Sequence, residues 1–295
     1  MNSVTIDELI DVMEVIRRRQ SIRTFDSTPL SDEKSNLLME YLNLFGSSPF
    51  EGETRFEILS LEYLEKSVKR RLGTYGFVKG TNSFLIGITR DFKPYDLENF
   101  GYQFEKAILY ATHLKVGTVW LGGTFSRRAF ASQVKIASDE KIPAITPLGI
   151  PSEKRSLRSR IIRYAAGAKH RKPFSSIFFN GNFSQSLNKS SLNDFSDVLE
   201  MVRSAPSASN RQPWRIVKEQ NYNNYHFFIY RKKPLSHKLF SWPDFKRIDL
   251  GIAVSHFDLT VKELGIVGEW RITEPEIPIP DNIQYLISWF QTSSE

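Results

Sequence analysis

Two long apolar helical stripes lie 150 residues apart in this chain, and each runs on into a tryptophan-bearing strand. In the first, Phe104, Ala107, Ile108, Ala111 and Leu114 fall at helical spacing. In the second, Leu250, Ala253, Val254, Phe257, Val261 and Leu264 do the same. One constant offset lays Gly101 on Gly251, Leu109 on Leu259, Leu114 on Leu264 and Trp120 on Trp270. The surrounding order also repeats: a helix, a loop of basic or small residues, a strand, the long helix, then the Trp strand. A period this long does not suit a solenoid. It predicts two related halves packed as a pseudo-dimer within one chain, divided at 1–185 and 186–295.

The remaining segments fill in an α+β pattern. Thr5 and Glu8 form a capping box ahead of Leu9, Val12, Met13 and Ile16, which predicts a first helix. A second helix starts near Ser31, with Asp32 and Glu33 in its first turn and Leu37, Leu38 and Tyr41 on one face. Gly46 to Pro49 is a turn. Arg55 to Leu59 alternates as a strand, and Phe84 to Thr89 is apolar enough to be a central one. Val116 to Gly123 predicts a strand closed by paired glycines, and Pro143 to Pro151 another. Phe178 to Lys189, rich in Asn and Ser, is expected to be a linker. Beyond it come a helix through Phe195, Val198, Leu199 and Val202, and a hairpin of Trp214–Val217 with Tyr225–Tyr230 across Asn223 and Asn224. A last strand runs from Tyr285 to Phe290.

Composition sets limits on function. Of 295 residues none is Cys, so disulfides, thiolate metal sites and Cys nucleophiles are all excluded. Met1 to Ile16 mixes acidic with apolar residues, unlike a secretory signal, and no apolar run is long enough to span a bilayer. A cytoplasmic protein without membrane association is the expectation. The net charge of +7 peaks at Arg17–Arg19 and again between Lys154 and Lys172, which suits an anionic partner. That second stretch has little aromatic interleaving and matches no nucleic-acid reader module, so nucleic acid is not the expected partner. The five histidines have no metal-ligand spacing, and no metal site is expected.

The most informative stretch is Ser204-Ala-Pro-Ser-Ala-Ser-Asn-Arg-Gln-Pro-Trp214, a turn of small residues between a helix and a strand. Ser207, Ser209 and Asn210 offer short, stiff hydrogen-bonding groups there. The stretch resembles the Ala-Pro-Ser-x-x-Asn-x-Gln-Pro-Trp signature of the nitroreductase family, whose members hold FMN. Near the N-terminus, Arg19-Gln20-Ser21-Ile22-Arg23-Thr24-Phe25 is similar to that family's Arg-Arg/His-Ser-x-Arg-x-Phe element. Gln20 departs from the pattern and brings no charge. Gly122–Gly123 is similar to the family's glycine pair, and Lys169-His-Arg171-Lys-Pro173 to its late Lys-x-Arg-x-Pro element.

The resemblance implies a nitroreductase-like fold of mainly antiparallel sheets with flanking helices, and one FMN per chain. Arg19, Gln20, Ser21 and Arg23 are then implied to meet the phosphate and ribityl chain, and Gly122 and Gly123 the isoalloxazine edge. Lys169 and Arg171 close on the phosphate, while Pro206, Ser207 and Asn210 come from the second half. The first half has only a degraded Ser47-Ser48-Pro49 where the Asn-Gln-Pro-Trp motif would sit, and the second has no Arg-Ser-Arg element. Together they make one complete site, as in the single-chain, internally duplicated branch of the family, and the implied state is a monomer. NADH or NADPH would be the reductant and a small electron-poor molecule (nitro compound or quinone) the acceptor, in a two-step exchange through the flavin. No side-chain acid, base or nucleophile is required, so no catalytic residue is nominated. Trp214, Trp120 and Trp270 are expected to be packing residues. Two alternatives stay open: a flavin-binding protein without turnover, and a basic nucleic-acid binder.

Overall fold

The structure, a computed structural model, describes residues 10–292 apart from 45–47, 75, 91–92, 153–169 and 232–241. The capping box at Thr5, much of the Gly46–Pro49 turn, Lys169 and most of the Lys154–Lys172 basic segment lie outside the described residues. The chain packs into two compact units, one of Arg18–Ala168 and one joining Met1–Arg17 to Lys169–Glu295.

In the Arg18–Ala168 unit the order is α2 (Asp32–Asn43), β1 (Thr54–Ser60), α3 (Lys66–Arg71), β2 (Ser83–Thr89), α4 (Asp96–His113), α5 (Arg127–Ala131) and β3 (Ile145–Leu148). The preceding helix α1 (Val12–Arg18) ends at its border. α2 begins at Ser31, whose side chain accepts the Lys34 N–H at 3.4 Å, as a capping serine should. β2 is central, antiparallel to β1 on one side and β3 on the other, and is buried from Phe84 to Thr89 on both faces. α4 packs on β1, β2 and α2, and is buried almost all round. Gly87 of β2 permits this: a Cβ there would stand 2.5 Å from the Phe100 ring of α4.

Residues 117–121 add to the outer side of β3, with Gly117 opposite Gly149 and Leu121 opposite Ile145. Between those points the ladder is interrupted. Pro147, opposite Val119, has no N–H to give, and the Val119 N–H turns instead to Thr146 Oγ1 at 3.0 Å. The expected Val116–Gly123 strand is therefore two paired ends around a gap.

The other unit contains β4 (Phe178–Asn180), α6 (Phe195–Ser204), β5 (Trp214–Lys218), β6 (Tyr225–Tyr230), α7 (Phe245–Glu263), β7 (Gly268–Arg271) and β8 (Ile283–Gln291). Its sheet runs β4-β5-β6-β8-β7, antiparallel except for β4 against β5. Phe195, Tyr225, Phe227, Phe257, Trp270 and Trp289 form one aromatic cluster between α7 and the sheet.

The stretch 178–189 is not a linker. Phe178 is fully buried, the Ile216 N–H donates to Ile177 O at 2.9 Å, and β4 forms an edge of the sheet. At the other end of the chain, the Met13 N–H donates to a Glu263 carboxylate oxygen at 3.0 Å. By these contacts α1 up to Arg17 and the residues from His170 onward pack with the second unit, so the packing units differ from the stretches 1–185 and 186–295 in that 1–17 and 169–185 both join the second.

Taken separately, the two units have one topology. The order β1, β2, β3 and 117–121 corresponds to β5, β6, β8 and β7, with the long helix inserted between the second strand and the Trp strand. The helix ends close in the same way. Lys115 and Gly265 both take positive φ, 59° and 66°. The Val116 N–H reaches back to Ala111 O at 2.8 Å and the Ile266 N–H to Val261 O at 2.9 Å, the Schellman closure in both copies.

Candidate functional site

Arg19 to Phe25 is an extended segment laid into its own unit. Ser21 bridges Thr118 in parallel, and the Ile22 N–H donates to Thr118 O at 2.8 Å. On the opposite side the Lys79 N–H donates to Arg23 O at 2.9 Å and the Phe25 N–H to Lys79 O at 2.8 Å. Extended backbone alternates its side chains, so Arg19, Ser21 and Arg23 share one face and Gln20 falls on the other. Gln20 is exposed; Ser21 and Arg23 are half-buried.

From Thr118 the chain continues through Trp120 to Gly122 and Gly123. Arg127 fixes this turn. Its guanidinium donates to Gly122 O, to Ile142 O at 3.0 Å and to Pro143 O at 3.1 Å, with burial holding its pKa below the ordinary arginine value. Gly123 is exposed, and a Cβ built on it meets nothing within 4 Å. The fold itself does not require glycine there. What remains is an uncrowded stretch of backbone that another molecule can approach.

Arg19 is not a bare cation. Its side chain is 8% exposed, and Nε stands 3.8 Å from Oε1 of the fully buried Glu105. The other Glu105 oxygen accepts the Trp120 indole N–H at 2.7 Å. Burial lowers the Arg19 pKa and Glu105 pulls it back up. Arg19 Nε itself has no hydrogen-bond partner among the described residues.

In the second unit the Ser204–Trp214 turn is tied to the residues after Lys169. Arg171 donates from Nη1 to Asn210 Oδ1 at 3.1 Å and from Nη2 to Ser204 O at 2.9 Å. Asn210 donates from Nδ2 to His170 O at 2.7 Å and accepts the Gln212 side-chain amide at 3.1 Å. Gln212 joins the rest: its N–H donates to Ser207 Oγ at 2.9 Å, and its side-chain oxygen accepts the Lys172 N–H at 2.9 Å. Ser209, Asn210 and Gln212 all take positive φ, 51°, 54° and 46°, a conformation costly for residues other than glycine. The cross-links hold the turn in that shape. A buried carboxyl adds another: Asp249 Oδ1 in α7 accepts the Ala208 N–H at 2.8 Å. Burial pushes the Asp249 pKa up to about 8; the Ala208 N–H pulls it down, Asp244 adds to the rise, and Arg211 and Lys246 oppose it.

The structure thus brings Arg19, Ser21 and Arg23 onto one extended segment paired with the strand that leads to Gly122–Gly123. It brings Arg171 to Asn210 and closes Ser207 onto the same turn. Pro206 is half-buried at the start of that turn. Trp214 is fully buried, as expected of a packing residue. Glu105, Arg127, Gln212 and Asp249 were not among the residues singled out from sequence. Only Gln212 had a signal, its place inside the Asn-Arg-Gln-Pro-Trp motif; the others are ordinary polar positions until the fold buries them. Chemically, these residues offer hydrogen-bond donors and cationic groups suited to holding an anionic or polar ligand.

A protein-family model described as "Putative TM nitroreductase" matches residues 11–261. Among solved structures, a Thermotoga maritima protein described as a putative nitroreductase is similar with a TM-score of 0.57 at 19% identity, covering 96% of this chain and 94% of that one. A nitroreductase family protein from Clostridium novyi NT is similar over 49% of this chain and 87% of its own, with a TM-score of 0.41 and 19% identity. A nitroreductase with bound FMN from Bacteroides fragilis NCTC 9343 covers 50% and 92%, with a TM-score of 0.40 and 16% identity. No curated protein matches the chain.

Proposed function

This chain belongs to the nitroreductase family whose model spans residues 11–261, and on that premise we propose that it is an FMN-dependent oxidoreductase. In this reading NADH or NADPH supplies reducing equivalents and a small electron-poor molecule, a nitro compound or quinone, receives them in a second step. Bound FMN supplies the two-electron chemistry. The chain's own residues bind it, orient it and set its electrostatic surroundings.

The observation that carries the reading is Gly123. It ends the Trp strand beside the Arg19–Phe25 segment, and no described atom lies where its side chain would be. Backbone there can lie against a flat ring, while the face bearing Ser21 and Arg23 offers a hydroxyl and a cation for a phosphate and its sugar chain. Arg19, paired with Glu105, adds hydrogen-bond donors with its charge already offset. Ser207 fits the same demand: its Oγ accepts from Gln212, and the hydroxyl hydrogen has no acceptor among the described residues. Gln20 and Pro206 join by position, Arg171 by shaping the turn, and Lys169 completes the set from outside the described residues. Because both halves are in one chain we read it as a monomer. Among the described residues no helix is long and apolar enough to cross a membrane, and we place its work in the cytoplasm, where NADH and NADPH are at hand.

The Asn210 amide, implied by resemblance to meet the flavin, already accepts from Arg171 and Gln212 and donates to His170 O, so its part in the site is to hold the turn. The test is FMN titration followed by flavin fluorescence. The wild-type chain should quench FMN saturably. Gly123→Leu should bind about tenfold more weakly or worse while melting as wild type does, and Ser207→Ala about fivefold more weakly, the worth of one hydrogen bond. No binding by wild type, or undiminished binding by Gly123→Leu, would overturn the proposal.

A further inference from the structure

Lys172 and Arg215 converge on a single acceptor. Lys172 Nζ and Arg215 Nη1 each donate to the Gln212 carbonyl, both at 3.2 Å. Nη1 also donates to Trp214 O at 2.6 Å, and the guanidinium lies over the Tyr230 ring, 5.0 Å from its centroid. These contacts fix Arg215 and use one of its corners. The opposite edge, carrying Nε–H and Nη2, has no acceptor among the described residues, and two of the three Lys172 ammonium hydrogens are likewise uncommitted. An Arg Nε–Nη2 edge beside an ammonium group is the fork that grips two oxygens of one oxyanion.

The charge balance points the same way. Neither cation meets a carboxylate among the described residues. Glu200, whose partner Arg203 also donates to Lys172 O at 3.4 Å, is held by Arg203 and Lys189. Two half-buried positive groups therefore face each other without compensation. Burial, then Arg215, pushes the Lys172 pKa down to about 8. Burial lowers Arg215 as well, opposed by Tyr230. A bound anion would relieve both.

We infer that Lys172 and Arg215 form a binding site for a phosphate-class oxyanion, either free phosphate or a phosphate carried on a nucleotide. None of the residues proposed for the flavin belongs to it, and the inference does not depend on that reading. Binding should weaken as pH rises past about 8, where Lys172 gives up its proton beside Arg215.

The experiment is thermal unfolding of the full chain in inorganic phosphate against chloride of equal ionic strength. It is run on FMN-saturated protein, and on the FMN-free chain as well, so that failure of the flavin reading leaves it intact. Wild type should show a saturable rise in Tm. The apparent affinity should fall about tenfold in Lys172→Gln and Arg215→Gln, recover in Lys172→Arg, and stay unchanged when the neighbouring exposed cation is removed in Arg211→Gln. If Arg215→Gln does not fold, the Lys172 variants and the pH series decide. Tighter binding of 2′,5′-ADP than of phosphate, with the same dependence on Lys172, would assign a nucleotide phosphate; equal or weaker binding would assign free phosphate. No saturable rise in wild type, or an unchanged one in Lys172→Gln, would overturn the inference.

Discussion

The Trp120 indole N–H donates to the buried Glu105 carboxylate at 2.7 Å, and its counterpart 150 residues on, Trp270, donates to the buried Asp258 at 2.8 Å. The two tryptophans keep the common offset, but the acids do not: Asp258 lies about one helical turn further along its helix than the position equivalent to Glu105. In both units a long-helix acid clasps the Trp strand, and in both a cation completes it, Arg19 in one and Lys262 in the other.

The two clasps differ in exposure, and so should the cost of losing them. Glu105→Ala leaves the indole and the buried Arg19 unpaired and should cost about 3 kcal/mol. Asp258→Ala frees Lys262, which is already 54% exposed, and should cost about 1–2 kcal/mol. Urea unfolding of the two variants measures the difference, and equal losses would contradict the assigned roles.

Gly87 and Gly123 separate folding from ligand binding. Gly87→Ala drives a methyl group into the Phe100 and Phe104 rings and should destabilise by about 2–3 kcal/mol. Gly123→Ala meets nothing within 4 Å and should unfold within about 0.5 kcal/mol of wild type. The same unfolding series reads both.

Acid should weaken the unit containing Glu140. Arg55 grips this carboxylate with Nε and Nη2 at 2.8 and 2.7 Å, and the Ala137 N–H adds a third bond at 2.8 Å. The Arg55 bonds are chiefly what hold its pKa at about 2, below the ordinary 4.5. The stabilisation is therefore complete above 4.5 and lost as pH falls toward 2. Because solvent screens the partly exposed Arg55, Glu140→Gln should cost only about 1–2 kcal/mol at pH 7, and it should flatten the pH dependence between 4.5 and 2.

Asp249 should act in the opposite sense. With its pKa raised from 3.8 to about 8, the folded chain keeps a proton that the unfolded chain gives up. Its contribution to stability is fully present below 3.8 and declines as pH rises toward 8. Asp249→Asn keeps an acceptor for the Ala208 N–H and should remove that decline, so that the variant gains on wild type between pH 5 and 8. Chemical denaturation across that range checks the sign.

The parts of the fold written as periodicity were legible in sequence: the buried stripes of α4 and α7, the β5–β6 hairpin, and the central strand β2. The duplication was legible too, because helix ends and Trp strands repeat at a fixed offset. β4 was not, since three residues among Asn and Ser become a strand only by pairing with β5, distant in sequence. The Pro147 gap was hidden for a similar reason: a proline costs a ladder bond only once its partner, Val119, is known. In the candidate site, resemblance selected the motifs but not the groups that shape them. Glu105 and Asp249 occupy polar steps of apolar helices, and nothing local distinguishes a buried acid from a solvated one. Asn210 shows the converse, a motif residue whose amide proves to be occupied by its own neighbours.

The proposed function requires that this chain hold FMN and use it. The most direct measurement is the visible absorbance spectrum of the purified protein after incubation with FMN and removal of the excess, recorded before and after anaerobic addition of NADPH or NADH. Flavin bands should bleach with at least one nucleotide and return when a quinone or nitro compound is added. Bands that neither nucleotide bleaches, or protein that retains no flavin, would contradict it.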